Sequence, residues 1–271
     1  MSKKKRRPIP RFQHPIIETH CHLDYLDEDR LVQILEESRQ VGIEKIVTIA
    51  VSPDNLDKVV ELSSSHNQVW GTQGIHPHDA DYYNDAIEEK IKANLLKPRI
   101  LAVGEIGLDY HYEHSDRIAQ RQVFERQLQI ASDADVPVVI HTREAEQDTR
   151  AILENFSHTL PKKGVIHSFT SSLDLAEYCL DQGFSLGFNG ITTFNKAENV
   201  REVVTLTPIE KIVLETDAPY LTPVPYRGRV NAPHYLPFIA EKVAELKQID
   251  VEQLLLQVYR NSIELLFKNN N

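Results

Sequence analysis

The chain has 271 residues, of which 41% are hydrophobic and 26% are charged, and its formal net charge at pH 7 is −10. This length allows one large buried core, whereas no apolar run reaches the ~20 residues that span a bilayer, so we expect a cytoplasmic protein with no membrane partner. The acidic balance argues against nonspecific DNA binding over the whole surface, and the 2 cysteines are too few for a disulfide framework.

Strand-like and helix-like segments alternate from residue 16 to residue 216. Apolar runs such as Val136–Ile140 are typical of strands buried on both faces of a parallel sheet. Helices are indicated where apolar residues recur at helical spacing. The predicted strands are Ile16–Thr19, Lys45–Val51, Val69–Gly74, Ile100–Gly104, Val136–His141, Gly164–His167, Phe184–Phe188 and Lys211–Thr216. The predicted helices are Asp29–Gln40, Asp54–Ser65, Asp85–Leu96, Ser115–Asp133, Glu144–Phe156, Leu173–Gln182 and Ala197–Thr205.

This alternation predicts an α/β fold, a (β/α)8 TIM-type barrel. A doubly wound open sheet is the second possibility, but its ligands gather at one switch point of the strand order. Here the candidate ligands come from strands spread along the chain, which a closed barrel brings together. The proline-rich segment Asp217–Asn231 predicts a loop over the barrel mouth. Two extra amphipathic helices follow Tyr235.

The N-terminal residues form a separate, basic segment. We expect residues 1–15 to be a tail and residues 16–271 to form a single barrel domain. The tail carries a basic run, and two interpretations of it stay open: a solvated segment without catalytic consequence, or an electrostatic arm that reaches nucleic acid. The run consists of Lys3, Lys4, Lys5, Arg6 and Arg7.

Residues that bind metal ions stand at the ends of several predicted strands. His20 and His22 come directly after the first apolar run, and strand alternation places both imidazoles on the same face. Carboxyl ends of barrel strands meet at one face of the barrel, so side chains from distant parts of the chain converge there. The predicted metal ligands are His20, His22, Glu105, His141, His167 and Asp217.

These ligand types suit a hydrolase that uses two cations to activate water. We expect His20, His22 and Asp217 to hold one ion, His141 and His167 to hold the second, and Glu105 to bridge them. Glu105 and Asp217 are therefore the predicted catalytic residues, with Asp217 also accepting a proton. Each residue alone has an ordinary explanation, such as a hydrogen-bonded histidine or a helix cap, but the complete set favours a metal site.

A series of motifs resembles those of the TatD family of metal-dependent hydrolases, in family order and from about residue 16 onward. The motifs are Glu18–Leu23, Gly74–His78, Gly104–Tyr110, Pro137–Arg143, His167–Phe169, Gly187–Gly190 and Leu214–Leu221. The resemblance implies a TIM-type barrel, two divalent cations that are commonly magnesium, manganese or zinc, and deoxyribonuclease activity, often from a 3′ end. It assigns the same metal ligands as above. Glu18 stands where the family usually has Asp, and its role stays open.

Candidate substrate contacts lie beside the predicted ligands. A guanidinium group next to a metal ligand can bind phosphate oxygens with two hydrogen bonds. The ordinary alternative for Arg143 is an ion pair with Glu144 or Glu146, and for the two other arginines it is plain exposure on a loop. The candidate substrate residues are His76, His78, Arg143, Arg227 and Arg229.

The sequence favours a hydrolase that cleaves phosphodiester bonds of DNA, as a 3′–5′ exonuclease acting on single strands or 3′ ends. The second hypothesis is an amidohydrolase or an aminoacyl-ester (tRNA) deacylase on the same metal site. A carbamylated lysine bridge would favour the amidohydrolase, but no lysine ends the fourth or fifth strand. A third hypothesis, a non-catalytic binding barrel, does not account for the full ligand set. Native metal, DNA or RNA preference and oligomeric state are not fixed by the sequence.

Overall fold

In the computed structural model, which describes residues 6–267, eight parallel strands form one sheet in which each strand pairs with the next along the chain. Lys3, Lys4 and Lys5 of the basic run lie outside the described residues. The observed order is that of the predicted barrel. The strands are β1 (Ile16–Cys21), β2 (Ile43–Thr48), β3 (Val69–Gln73), β4 (Ile100–Asp109), β5 (Val138–Arg143), β6 (Gly164–Ile166), β7 (Ser185–Phe188) and β8 (Ile212–Leu214).

Helices follow the strands and cover the outside of the sheet, and two further helices end the described chain as predicted. They are α1 (Leu31–Gln40), α2 (Leu56–Ser65), α3 (Asp85–Leu95), α4 (Arg117–Ala134), α5 (Glu146–Asn155), α6 (Leu173–Asp181), α7 (Glu198–Leu206), α8 (Leu236–Lys247) and α9 (Val251–Ser262). Within residues 6–267, no helix is both long enough and apolar enough to cross a membrane.

Some predicted boundaries were wrong, and turn chemistry explains the β2–α2 case. The second strand was predicted to reach Val51, but it ends at Thr48. The side chain of Asn55 accepts hydrogen bonds from the backbone N–H groups of Val51 and Ser52 at 3.0 and 3.1 Å. This turn replaces strand pairing, so α2 begins at Leu56 instead of Asp54.

The fourth strand was predicted to end at Gly104, but it continues to Asp109. Gly107, which reads as a strand breaker in the sequence, has a φ of +136°, and a Cβ there would lie 1.9 Å from the carbonyl oxygen of His141. The glycine therefore allows β4 to stay paired with β5 as far as Asp109 and Arg143. As a result, Glu105 lies inside the strand and Asp109 occupies its carboxyl end.

Hydrogen bonds near the carboxyl ends join the first strand to the segment after the last. The N–H of Asp217 donates to the carbonyl of His20 at 2.9 Å, and the N–H of His22 donates to the carbonyl of Ala218 at 2.7 Å. Glu18, whose role the sequence left open, accepts from the N–H groups of His20 and Thr216 at 3.0 and 2.9 Å. Burial raises the pKa of Glu18 to about 8. These bonds nearly close the barrel and set Asp217 beside the two histidines.

Candidate metal centre

The predicted ligands form one group of side chains around Glu105. Its Oε2 atom lies 3.3 Å from His20 Nε2. Its Oε1 atom lies 3.1 Å from His141 Nδ1 and 2.8 Å from His167 Nε2. The two carboxylate oxygens of Glu105 therefore face two different sets of imidazoles. We call the whole group the metal cluster; it comprises His20, His22, Glu105, His141, His167 and Asp217.

Asp217 lies on the His20 and His22 side of this group. Its Oδ1 atom is 3.4 Å from His22 Nε2 and 3.8 Å from His20 Nε2. The backbone of Asp217 is left-handed, with a φ of +57°, which is uncommon for a residue with a side chain. This conformation turns the carboxylate out of the line of β8 and towards the histidines of β1.

The donor atoms of the metal cluster fit divalent cations. Both ring nitrogens of His20 are buried without a hydrogen-bond partner, although Nε2 faces carboxylate oxygens. A buried polar atom without a partner is costly, and a cation between an imidazole nitrogen and a carboxylate oxygen would remove that cost. In the described part of the chain, two groups drawn from the cluster bring ligand atoms within 4.8 Å of one another: His20, His22 and Asp217, and His20, Glu105 and His167.

Asp109 orients His141, a role that was not predicted from the sequence. Its Oδ2 atom accepts from His141 Nε2 at 3.0 Å and from His78 Nε2 at 3.1 Å, while Oδ1 accepts from the N–H groups of His111 and Tyr112. Burial alone would raise the pKa of Asp109, but these hydrogen bonds outweigh it and hold the pKa far below its ordinary value. With Nε2 bonded to Asp109, His141 Nδ1 faces Glu105 and is placed where it could bind a cation. The sequence did contain a signal for this position, because strand alternation places Asp109 on the same face of β4 as Glu105.

Glu215 has the corresponding position behind His167. Its Oε1 atom accepts from the N–H of Ser168 at 2.6 Å and from the amide of Asn189 at 3.3 Å, and lies 3.5 Å from His167 Nδ1. The side chain is fully buried. A carboxylate at this place holds the ring so that Nε2 faces Glu105. Glu215 also belongs to a quoted motif, yet nothing in the sequence separated its role from that of Asp217.

The metal cluster shifts the pKa values of its own members. Burial would raise the pKa of Glu105, but the surrounding histidines, His167 foremost, outweigh burial and hold that pKa well below its ordinary value. Burial would lower the pKa of His167, yet attraction to Glu105 and Glu215 raises it well above 6.5. In the absence of a cation, therefore, the cluster holds protons between its carboxylates and imidazoles. A cation that binds there displaces those protons.

His76, which the sequence predicted as a substrate contact, lies next to the metal cluster. Its Nε2 atom is 3.5 Å from Glu105 Oε1, and it forms a possible ligand group with Glu105 and His141. However, its Nδ1 accepts a hydrogen bond from the N–H of His78 at 3.1 Å. Burial and the neighbouring His141 lower its pKa well below 6.5, so the ring is neutral. A neutral imidazole that accepts at Nδ1 carries its hydrogen on Nε2, so Nε2 is a donor rather than a ligand atom.

The metal cluster opens into a cavity of about 690 Å³ at the carboxyl ends of the strands. Its wall includes three exposed tyrosines, Tyr25, Tyr112 and Tyr220, together with Arg143 and the ring of His78. The guanidinium carbon of Arg143 lies 4.7 Å from the centre of the Tyr112 ring. Among the ion pairs of residues 6–267, none joins Arg143 to Glu144 or Glu146. The surface ion pair that was the alternative explanation for Arg143 is therefore not formed.

Arg227 and Arg229 do not line this cavity. Both are exposed on the loop between β8 and α8. The guanidinium carbon of Arg227 lies 3.6 Å from the centre of the Phe194 ring, and that of Arg229 lies 5.9 Å from the Tyr226 ring. The structure therefore brings His76, His78 and Arg143 to the metal cluster but leaves these two arginines outside it.

Comparison with known proteins decides the family. The model of the family described as TatD related DNase matches residues 17–267. The chain belongs to the TatD family. The TatD relatives include metal-dependent hydrolases, and the match to this chain covers nearly the whole length of each. A Bacillus subtilis protein, the uncharacterized metal-dependent hydrolase YabD, is 32% identical over 88% of this chain and 94% of its own length. The deoxyribonuclease Tat-D of Schizosaccharomyces pombe is 34% identical over 94% of this chain and 93% of its own length.

A solved TatD structure has the same fold. The Escherichia coli TatD homologue YJJV superposes with a TM-score of 0.88 at 28% identity, covering 93% of this chain and 97% of that protein. Family membership confirms the predicted TIM-type barrel and identifies this chain as a metal-dependent hydrolase. The predicted assignment of individual TatD site residues rests on the geometry above.

Proposed function

We propose that this chain is a deoxyribonuclease that holds two divalent cations and releases nucleotides from the 3′ ends of single-stranded DNA in the cytoplasm. The observation that carries the proposal is the position of Glu105, whose two carboxylate oxygens face separate imidazole sets. A carboxylate that bridges two cations has this arrangement. His20, His22 and Asp217 would hold one cation, and His141 and His167 the other, with magnesium, manganese or zinc as the candidates.

Bound cations would supply a nucleophile by lowering the pKa of water and would neutralise charge on the phosphate. The side chains of this protein supply the remaining functions. Asp217 accepts a proton, since its carboxylate stays ionised: burial would raise its pKa, but His22, His20 and His167 outweigh that effect and lower it. His76 donates from Nε2 to a phosphate oxygen, and Arg143 binds another oxygen with its planar guanidinium group.

The cavity around the metal cluster favours a single-stranded end over the interior of a duplex. A volume of about 690 Å³ is in the range of pockets that hold one small molecule, so it suits one terminal nucleotide. The rings of Tyr25, Tyr112 and Tyr220 are exposed around it. Aromatic faces at such a mouth stack on unpaired bases, which are not available in the interior of a duplex.

The S. pombe relative is named as a deoxyribonuclease, which supports DNA as the substrate. The second hypothesis, hydrolysis of an amide or an aminoacyl ester, uses the same cations and the same proton acceptor. Among the described residues, no lysine lines the cavity, so a carbamylated lysine bridge of the amidohydrolase type has no residue to form it. The carboxylate of Glu105 would take the bridging position instead.

The decisive assay compares substrates on one metal-reconstituted preparation. Stripped protein is loaded separately with magnesium, manganese or zinc and given single-stranded DNA, duplex DNA, RNA, an aminoacyl ester and an amide. We expect mononucleotides from single-stranded DNA labelled at the 3′ end before any loss of a 5′ label. Turnover of the ester or amide, with no nucleotide released from DNA under any metal, would replace the nuclease proposal with the second hypothesis.

A further inference from the structure

The described part of the basic N-terminal segment is docked on the barrel. The Arg7 guanidinium forms an ion pair with Glu241 on α8 and lies 4.8 Å from the centre of the Phe238 ring. The hydroxyl of Tyr226 donates to the carbonyl oxygen of Arg7 at 3.1 Å. Further along, the N–H groups of residues 13 and 14 donate to Glu252 on α9 at 2.8 and 3.0 Å. Arg7 and residues 13 and 14 thus hold this part of the tail against α8 and α9.

Docking brings Arg6 to the loop that carries Arg227 and Arg229. The guanidinium carbon of Arg6 lies 5.4 Å from the centre of the Tyr226 ring, and that of Arg229 lies 5.9 Å from the same ring. Arg227 stacks on Phe194. We call this group the arginine–aromatic patch: Arg6, Arg227, Arg229, Tyr226 and Phe194. Among the ion pairs of residues 6–267, none involves the three arginines of the patch.

The patch adjoins the cavity of the metal cluster through two short connections. Leu221 lines the cavity, and the next residue, Thr222, donates its hydroxyl to the carbonyl of Arg229 at 2.6 Å. Ile191 also lines the cavity, and its carbonyl accepts from the N–H of Phe194 at 2.8 Å. Residues of the cavity wall are therefore joined to the patch by short hydrogen-bonded turns.

We propose that the arginine–aromatic patch binds the part of a single-stranded nucleic acid that extends away from the metal cluster. This proposal rests on the proposed nuclease function. It adds a second binding surface, outside the cavity that would hold the scissile end. Its chemistry suits a single strand: three guanidinium groups, which have no carboxylate partner within residues 6–267, can bind phosphates, and two partly buried rings beside them can contact bases. The site is also distinctive in a chain of net charge −10, where three cations without carboxylate partners form a local positive field.

Three variants of the full-length, metal-loaded protein test the patch. In the first, Arg6→Gln, Arg227→Gln and Arg229→Gln are combined; in the second, the same positions carry Lys. The matched control removes three lysines from the opposite end of the barrel, with Lys92→Gln, Lys97→Gln and Lys162→Gln. Binding is measured by fluorescence anisotropy over a range of salt concentrations. The probes are oligodeoxythymidylates of about 4 and about 16 nucleotides, a range that spans typical single-strand sites, with cleavage-resistant phosphorothioate linkages at the 3′ end.

We expect the wild type to bind the longer probe more tightly than the shorter one, and the Gln variant to lose most of this difference. Because each phosphate contact on a single strand contributes about 0.7 to the salt slope, losing three contacts should lower the slope for the long probe by about 2. The Lys variant should keep most of the slope, since it retains the charges. The control variant should bind both probes like the wild type.

Unchanged slope and length dependence in the Gln variant would overturn the proposal. A Lys variant that loses as much as the Gln variant would also overturn it, because the arginines would then act only through stacking within the protein. Poly-glutamate that competes as well as the long probe would assign the patch to an acidic protein partner instead. Hydrolysis of bis(p-nitrophenyl) phosphate, measured on the same preparations, tests the metal cluster separately. A failed nuclease hypothesis is therefore distinguishable from a failed patch.

Discussion

The metal cluster and the three arginines predicted to contact substrate differ in how the fold holds them. Each histidine or carboxylate of the cluster lies on a strand or within three residues of its end, and several have a second buried partner, as His141 has in Asp109. The arginines contact aromatic rings instead: Arg143 on Tyr112 and Arg227 on Phe194. Short side chains on hydrogen-bonded strands go where the backbone register directs them. The longer arginine side chains, one at the last residue of β5 and two in a loop, contact nearby aromatic rings instead.

This difference has an energetic consequence. A cation–π contact at an exposed site is worth about 0.5–1 kcal/mol, so an arginine can leave its ring for a phosphate at little cost. Four of the six cluster residues are buried and the other two, His141 and Asp217, are mostly buried, so moving one of them would leave charged or polar atoms without partners, which costs much more. We therefore expect the cluster to be already in place before substrate binds, whereas the arginines rearrange on binding.

Among single substitutions that test this difference, we expect the largest loss of turnover at Asp217. Asp217→Asn keeps the size of the side chain and one ligand oxygen, but the amide cannot accept a proton. Metal should still bind, if more weakly, while turnover falls by a factor on the order of 10² or more, the usual scale for losing a general base. Metal content and turnover are measured on the same preparation. A variant with full metal content and near-normal turnover would leave the proton acceptor unassigned.

A substitution at Asp109 tests whether the carboxylates behind the cluster are needed to hold the histidines in place. Asp109→Asn removes the charge that orients His141 and keeps the shape of the side chain. We expect metal affinity or turnover to fall by about 10-fold to 100-fold, as is usual when the partner of a histidine ligand is changed. The matched control is Asp148→Asn, on a surface carboxylate that pairs with Arg121 and Tyr110. Equal effects of the two substitutions would show that Asp109 only stabilises the fold.

The protonation of the cluster predicts a pH dependence of metal binding. Burial lowers the pKa values of His22, His141 and His167, but neighbouring carboxylates outweigh it and raise each above 6.5. In stripped protein, protonation of these histidines stabilises the fold. This stabilisation is fully present below pH 6.5 and is lost as pH rises through the raised pKa values. A cation replaces those protons. The gap in melting temperature between loaded and stripped protein should therefore widen from about pH 6 to about pH 9. A constant gap would show that the cluster is not protonated in stripped protein.

The smallest effect is expected at Arg143, which belongs to the loosely held set. Arg143→Ala should weaken catalysis by about 10-fold, the effect of losing roughly 1.4 kcal/mol of charge-assisted hydrogen bonding, and should leave metal content unchanged. Arg143→Lys should restore only part of the loss, because an ammonium group cannot form the planar pair of bonds. Kinetics of the Ala variant that match the wild type would make Arg143 a surface residue and break the proposed contact.

The sequence predicted the barrel, and it predicted that the candidate ligands lie close together, because both features depend on strand periodicity. Alternation put His20 and His22 on one face, and strand ends of a barrel converge whatever their separation along the chain. The residues behind the ligands, Asp109 and Glu215, were missed because a carboxylate near a strand end reads equally well as a helix cap. The true end of β4 was also missed, because Gly107 resembles a strand breaker.

The positions of Arg227 and Arg229 could not be predicted for a different reason. No periodicity constrains a proline-rich loop, so nothing in the sequence shows whether its side chains point into the cavity or away from it. The contact of Arg6 with Tyr226 joins residues far apart in the chain and depends on how the loop folds. Features that follow from backbone register were therefore predictable, and features that follow from loop conformation were not.

The most direct test of the central claim, that the cluster is one two-cation centre, is a titration of stripped protein with each divalent cation. Bound metal per chain and hydrolysis of single-stranded DNA are followed together on each sample. We predict that activity is absent in stripped protein and returns only as a second cation binds, and that Glu105→Gln abolishes this return. Full activity after exhaustive chelation and dialysis, or full activity with a single cation per chain, would contradict the account.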